Sequence, residues 1–425
     1  MNNDITVSTL NEVCLKENKS IISGPFGSNI SSKFFVETGI PVIRGNNLTI
    51  GKEMFIDSGF VYITPEKANE LNCYAIKDDL IFTAAGTLGQ VGMIPSKTKF
   101  NKYVISNKQI RARINRNLVL PEYAYYWFSS PWIQKKLCNN NKGSTVPLLT
   151  LSEIKSLPIK YPQNLKKQEK VVKILSSIDV QIKRNNDMVQ KLQVLTQSIY
   201  SYWFNQFEFP NEEGKPYKSS GGEMVWNEEL KREIPKDWEV KQLKELSTII
   251  LGGTPSRNID EYWNNGNISW LNSGEIVNFP IITSSEKITL AGLENSATEY
   301  MKSGTVVVSI TGNIRASILG IDSCANQSVV GIIENKTLRK EYLYPYISAI
   351  LSKFIKMSTG NCQQHINKKT LEENQILIPK KSVILNYYNK VENMYTLIIS
   401  TALQTNKLLQ LKEKLLPLLI NGQLI

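Results

Sequence analysis

The chain has 425 residues, 41% of them hydrophobic, and Lys plus Arg outnumber Asp plus Glu by 50 to 38, for a formal net charge of +12. That length exceeds one ordinary core and suits two domains with connectors, while no apolar run is long enough for a membrane-spanning helix. The basic excess favours polyanionic partners, and five scattered cysteines (Cys14, Cys73, Cys138, Cys324, Cys362) without a Cys-x-x-Cys pair argue against a disulfide framework and a zinc site. Residues 1–10 carry neither a basic stretch nor an apolar core followed by small residues, so they do not read as a secretory signal and a cytoplasmic location is expected.

Residues 1–162 read as a first domain. Over 108–114, Ile110, Ala112 and Ile114 alternate with Gln109, Arg111 and Arg113, which predicts a strand with one buried and one basic face. The same domain supplies a Gly-Pro-Phe-Gly-Ser loop ending at Ser28, Arg44 before Gly45, Asn46 and Asn47, and a Gly86-Thr87-Leu88-Gly89-Gln90 loop. Arg fits the edge of guanine, Asn and Gln fit adenine, and glycine loops let backbone approach phosphate. The candidate DNA-facing residues are therefore Ser28, Arg44, Asn46, Asn47, Thr87, Gln90, Lys108, Gln109, Arg111, Ser144 and Thr145. For any one of them, a solvated surface position is the competing reading.

Residues 163–207 predict a long helix, since 166–204 lack Pro and Gly and carry Val171, Leu175, Ile178, Ile182, Val189, Leu192, Ile199 and Trp203 at alternating steps of four and three. Asn185 and Thr196 lie on that seam, where polar residues fix register and partner. Residues 208–233, rich in Gly, Pro, Ser and charge, read as a flexible linker.

Residues 234–380 read as a second domain with the same chemistry in different side chains: Ser256, Arg257, Asn272, Ser273, Asn313, Arg315, Asn326, Gln327, Gln363 and Gln364. Residues 381–420 predict a second long helix, its seam running through Ile384, Tyr388, Val391, Tyr395, Ile398, Ala402, Thr405 and Leu409 and stopping at Pro417. Pairing the two helices buries both stripes. An ordinary core helix within one domain is the alternative.

The halves match in order at slowly drifting separations, which marks an internal repeat. Val7, Leu10 and Glu12 answer Val240, Leu243 and Glu245; Gly24 answers Gly252, Gly86 answers Gly312, and Gln109 answers Gln327. Glu122 and Tyr125 answer Glu341 and Tyr344, Gly143 answers Gly360, and Ile159 and Pro162 answer Ile376 and Pro379.

Catalytic chemistry has little to stand on. His365 is the single histidine, which removes a two-histidine metal site and leaves one position for a catalytic base; a surface or DNA-facing role is the plainer reading. No Pro-Pro dipeptide exists to build the loop with which amino methyltransferases hold a flipped base, and neither Gly51-Lys52 nor Gly214-Lys215 continues into the Ser or Thr of a phosphate loop. No catalytic residue, metal or cofactor is assigned to this chain.

At this point the chain resembles the specificity subunits of type I restriction-modification systems over essentially its whole length. The resemblance rests on Ile234-Pro235-Lys236-Asp237-Trp238 opening the second repeat, Gly252-Gly253-Thr254-Pro255-Ser256, the Leu157 to Pro162 exit, and the Leu415 to Gly422 ending; Ile5 departs from it by standing where Trp238 would correspond. It implies an α+β fold with two repeated target-recognition domains of mixed structure separated by two long antiparallel coiled-coil helices. It also implies that each domain reads half of a split double-stranded DNA target and that the helices dock two methyltransferase subunits. S-adenosylmethionine, ATP and Mg would then belong to those and to restriction and translocase partners. A free-standing two-domain DNA-binding regulator and a cytosolic enzyme on a small anionic substrate are the alternatives from other classes.

Overall fold

The computed structural model describes residues 5–51, 53–139, 148–357 and 366–423. The chain divides into two compact units, Met1–Ile182 with Leu408–Ile425, and Lys183–Lys407. Among the described residues no helix is long and apolar enough to cross a membrane.

In the first unit a four-stranded antiparallel sheet runs in the order Ile21–Ser23, Gln109–Arg113, Asp79–Thr83, Val91–Met93. All five residues of Asp79–Thr83 are buried, and strand alternation sorts them between two cores. Leu80 and Phe82 pack with the aromatic helix Pro121–Phe128, whereas Ile81 packs with Val42, Ile43 and Val104 of a second sheet. That sheet is ordered Val61–Ile63, Ile40–Ile43, Lys102–Ile105, Tyr74–Ile76, with its two middle strands parallel. A helix layer and a second sheet thus cover opposite faces of one strand, each fully buried Leu or Phe contributing about 1.5–3 kcal/mol.

The second unit repeats this plan. Val306–Ser309 lies in a sheet ordered Ile249–Leu251, Val329–Ile332, Val306–Ser309, Arg315–Ile318. Val306 and Val308 face helix Lys340–Met357, while Val307 joins Leu271 and Ala325 of the second sheet, in which Ile268–Leu271 and Ser323–Ala325 run parallel. Each domain is closed by a first strand pairing antiparallel with its last: Ile5–Thr9 with Pro158–Pro162, and Glu239–Gln242 with Gln375–Ile378. The helices grip these closing strands with matching polar handles. Tyr123 Oη donates to the Lys160 carbonyl (3.1 Å) as Tyr342 Oη does to that of Leu377. Trp127 Nε1 donates to the Pro158 carbonyl (2.7 Å) as Tyr346 Oη does to that of Gln375 (2.6 Å).

The first long helix spans Leu165–Tyr200 and ends in a wider turn over Ser201–Asn205; the second spans Lys381–Ile420. Val171, Leu175, Ile178, Ile182, Asn185 and Val189 are buried, Leu192 is half-buried, and Val391, Tyr395, Ile398 and Ala402 are buried. The helices pair antiparallel: within the second unit Asn185 Nδ2 donates to Gln404 Oε1 (3.4 Å) and Thr401 meets Met188. Within the first unit Lys412 Nζ meets Asp179 at 2.5 Å, and Asp179 also accepts from Tyr126 Oη at 2.8 Å.

Three expectations are corrected. Leu409 is 40% exposed although it lies on the seam, which continues in phase through buried Lys412, Leu416 and Leu419 at steps of three, four and three. The seam also continues past Pro417, because burial of Leu419 and Ile420 in the first-unit core offsets the backbone bond that the proline forfeits. Residues 208–233 do not form a free linker. The hairpin Met224–Asn227 with Arg232–Pro235 occupies part of them, and Phe209 stacks on Tyr217 (4.6 Å) and Trp238 (5.1 Å).

Gly24 and Gly252 hold equivalent places against backbone. A Cβ on Gly24 would lie 1.8 Å from the Ser106 oxygen, and one on Gly252 would lie 2.2 Å from the Asn326 oxygen. Gly24→Ala and Gly252→Ala should each lower stability by about 1–3 kcal/mol in denaturant melts. Gly27→Ala, whose Cβ meets only the Asn107 side chain at 3.1 Å, should be nearly neutral.

Candidate nucleic-acid interface

Four loops leave the same end of the two sheets of the first domain, and hydrogen bonds between them fix their spacing. The Gly24 N–H donates to the Gln109 carbonyl (2.8 Å), Ser106 N–H to that of Ile43 (3.0 Å), and Ala84 N–H to that of Lys108 (2.8 Å). Between the loops lies an open cleft of about 730 Å³, lined by Arg44, Asn46, Thr87, Gln90, Asn107, Lys108 and Gln109 with Ile30, Phe35 and Val42 at its apolar side. Six of the predicted residues therefore surround one space.

Their preparation differs. Lys108 and Thr87 are exposed. Gln90 is fixed at both ends, its Oε1 accepting from Thr83 Oγ1 (2.9 Å) and its Nε2 donating to the Leu48 carbonyl (3.1 Å). Asn46 donates to the Gly59 carbonyl at 3.1 Å. Gln109 is buried; in the orientation that satisfies its amide, it donates to the Ile43 carbonyl and accepts from the Gly45 N–H, both at 3.3 Å. Arg44 lines the cleft with its Nε buried and without a hydrogen-bond partner among the described residues.

Two predicted residues are structural instead. Asn47 is fully buried; it accepts from the Arg44 N–H (3.0 Å) and donates to the Ile56 and Ser58 carbonyls, which shapes the turn Gly45–Asn47. Arg111, only 3% exposed, points toward the second sheet and donates to the carbonyls of Tyr74 (3.2 Å) and Lys19. Burial pushes its guanidinium below the ordinary value, and neighbouring Asp79 opposes that shift. Arg113 engages Asp79 through two donors at 2.9 and 3.0 Å, a bond that holds its own guanidinium above the ordinary value. The basic face of this strand is thus covered by the other sheet at Arg111 and neutralised by Asp79 and Glu17 at Arg113. Ser28 is exposed beyond the lining of the cleft, and Ser144 and Thr145 lie outside the described residues.

The second domain builds the same end from different side chains. Gly252 N–H donates to the Val329 carbonyl (2.9 Å), Asn326 N–H to that of Leu271 (2.9 Å), and Ile310 N–H to that of Ser328 (3.0 Å). These bonds pair Gln109 with Val329, so the match of Gln109 to Gln327 was displaced by two residues; Asn107 is the counterpart of Gln327. Thr254 Oγ1 donates to Gln327 Oε1 at 2.6 Å, tying the glycine loop to this tip. Asn272 Oδ1 accepts from the Gly274 N–H (2.8 Å), and Ser273 is half-buried in the turn that follows. Asn313 and Arg315 are exposed, and Asn326 Oδ1 accepts from the Ser328 N–H. Arg257 is held by Glu286 (2.5 and 3.0 Å) and stacks 3.6 Å from the Trp263 ring centre, while the Ser256 carbonyl accepts from Trp263 Nε1. Gln363, Gln364 and His365, like the glycine pair Gly143 and Gly360, lie outside the described residues.

Arg111→Ala should lower stability by about 3 kcal/mol, because it leaves the Tyr74 and Lys19 carbonyls unpaired and removes a charge beside buried Asp79. Lys108→Ala should shift the same denaturant melt by less than about 0.5 kcal/mol. Equal losses in the two variants would place both side chains in the same role.

Comparison with known proteins agrees with this architecture. Residues 2–194 and 235–412 each match the family model of the type I restriction modification DNA specificity domain. The chain is 25% identical over 419 residues to the type I restriction enzyme MjaIX specificity subunit of Methanocaldococcus jannaschii, covering 96% of this chain and 93% of that protein. It is 22% identical over 379 residues to the HindI specificity subunit of Haemophilus influenzae, covering 76% and 82%. The crystal structure of a type I restriction-modification S subunit from M. genitalium has the same fold, with a TM-score of 0.55 at 13% identity over 99% of this chain and 97% of that one.

Proposed function

The chain belongs to the type I restriction-modification DNA specificity family, and from that premise we propose that it binds a bipartite double-stranded DNA target, one half-site per domain. One observation carries the reading: equivalent loops on equivalent sheets end in different polar side chains, Arg44, Gln90 and Asn107 in one domain and Asn272, Arg315 and Gln327 in the other. A shared framework with altered tips is what two readers of different sequences require. Lys108 and the glycine loops meet phosphate, and the Arg and amide groups at these tips meet base edges.

The chain itself performs no bond-making chemistry in this reading. Its long helices dock two methyltransferase subunits through exposed apolar residues such as Val180, Met188, Val194 and Leu195. S-adenosylmethionine-dependent adenine methylation, and ATP- and Mg-dependent translocation and cleavage, belong to the partners, and the complex works in the cytoplasm. Copurification with mass identification of the bound chains tests the docking. Recovery of the chain alone as a tight sequence-specific binder would favour a free-standing regulator.

Binding of DNA by the purified chain should weaken steeply with salt as Lys and Arg release phosphate counterions, and Lys108→Ala should reduce the log–log slope by about 1. A flat salt response in equilibrium binding would remove DNA from the reading. Exchange of residues 1–162 for the equivalent domain of a relative should alter one half of the mapped methylation site and leave the other intact. A change in both halves would rule out independent reading.

A further inference from the structure

Each recognition domain leaves one arginine out of its own network of ion pairs. Residues 5–162 contain four, and three are engaged: Arg111 and Arg113 by Asp79, and Arg116 by Asp78 and Glu122 at 3.0 Å each. Arg44 has no carboxylate partner among the described residues, and it lines the cleft with its Nε buried and unpaired. In residues 234–380 Arg257 is engaged by Glu286, and Arg339 by Glu341 and Glu392. Arg315 is exposed and has no ion-pair partner among the described residues.

These two arginines do not occupy equivalent positions. Arg44 follows the parallel strand Ile40–Ile43 and precedes the turn Gly45–Asn47; its equivalent is Asn272, which follows Ile268–Leu271 and precedes the turn Ser273–Val277. Arg315 pairs with Ser309 at the start of the edge strand, the place that Gln90 holds beside Thr83. The same two framework positions therefore carry Arg and Gln in the first domain, and Asn and Arg in the second. Guanidinium and amide have exchanged places.

We infer that Arg44 and Arg315 are specificity-determining residues, each reading a guanine in its own half-site from a different framework position. The inference rests on the DNA-reading function proposed above. A planar fork kept free of internal carboxylates needs paired acceptors from its ligand, and the O6 and N7 atoms of guanine present two acceptors side by side in the major groove. In the first domain exposed Lys108 supplies the point charge that suits phosphate, so the recessed Arg44 is left for the base. The amides of Gln90 and Asn272 stand at the exchanged positions, oriented by Thr83 and Leu48 in one domain and by the Gly274 N–H in the other.

The test maps methylated sites produced by the full chain in complex with its methyltransferase subunits, for the wild type and for Arg44→Gln, Arg44→Lys, Arg315→Gln and Arg257→Gln. Arg44→Gln should relax one G·C position in one half-site, lowering discrimination there by about 5- to 150-fold, and leave the other half-site intact. Arg315→Gln should do the same in the opposite half-site. Arg44→Lys should keep DNA binding with a discrimination between that of the wild type and that of Arg44→Gln, because the ammonium donates to guanine without the fixed fork, and Arg257→Gln should leave the mapped sequence unchanged. Thermal melts of the Arg44 and Arg315 variants should match the wild type, which separates lost reading from lost folding. A mapped sequence unchanged in Arg44→Gln or Arg315→Gln, with methylation merely slower, would make that arginine a phosphate contact and overturn the inference. A wild-type complex that methylates without sequence preference would instead overturn the function on which it rests.

Discussion

Burial of one short strand on both faces is the constraint on which each domain depends. Asp79–Thr83 and Val306–Ser309 have helix on one side and sheet on the other, so their alternate residues belong to different cores. Neither strand can slip by one residue without moving Leu80 or Val306 out of one core and Ile81 or Val307 out of the other. The strand ends, Thr83 and Ser309, are therefore fixed points. From them leave the loops through Gly86 and Gly312, both at positive φ, and the strands that begin beside Gln90 and Arg315. Rigidity at the tips follows from packing several residues behind them, which is how a loop can hold a side chain closely enough to discriminate one base edge from another.

Charge within these domains is sorted by depth. Asp79 collects two arginines and the Ile76 N–H behind the first sheet, and Glu341, fully buried, draws Arg339 and Lys340 at the start of its helix. Carboxylates are placed where basic residues must be neutralised to be buried. At the loop tips the pattern reverses: Lys108, Arg44 and Arg315 have no carboxylate beside them among the described residues.

The sequence made legible whatever depends on local pattern. A run without Pro or Gly and a seam of alternating fours and threes located both long helices, and glycines forced by close backbone approach located the loops around Gly24 and Gly252. Alternation in Gln109–Arg113 showed that Arg111 faces away from Ile110, but not what covers it; its partners are Tyr74 and Lys19, 37 and 92 residues away. The match of Gln109 to Gln327 failed for a related reason. Residue identity attracted the alignment, while hydrogen bonds from Gly24 and Gly252 place Gln109 opposite Val329. Periodicity gives the phase of a stripe but not how closely each position is covered: Leu409 is exposed while Thr405 and Lys412 on the same stripe are buried, Lys412 against Asp179. Proline at 417 looks like a stop only when the buried residues after it are left out of account.

The strand that closes each domain has a consequence for how the protein is made. Ser8 and Tyr161, 153 residues apart, meet across the pair formed by the first and last strands of the first domain. Bringing such distant segments together carries a chain-entropy penalty of about 4 kcal/mol, so this pairing forms late in folding. On the ribosome the delay is obligatory. The aromatic helix Pro121–Phe128 emerges before the carbonyls of Pro158 and Lys160 exist to receive Trp127 and Tyr123, leaving their polar handles and the apolar face beside them uncovered in the meantime. Nascent chains stalled short of residue 162 should therefore be substrates for chaperones, and the core of the first unit is completed only when Leu416, Leu419 and Ile420 have also been made.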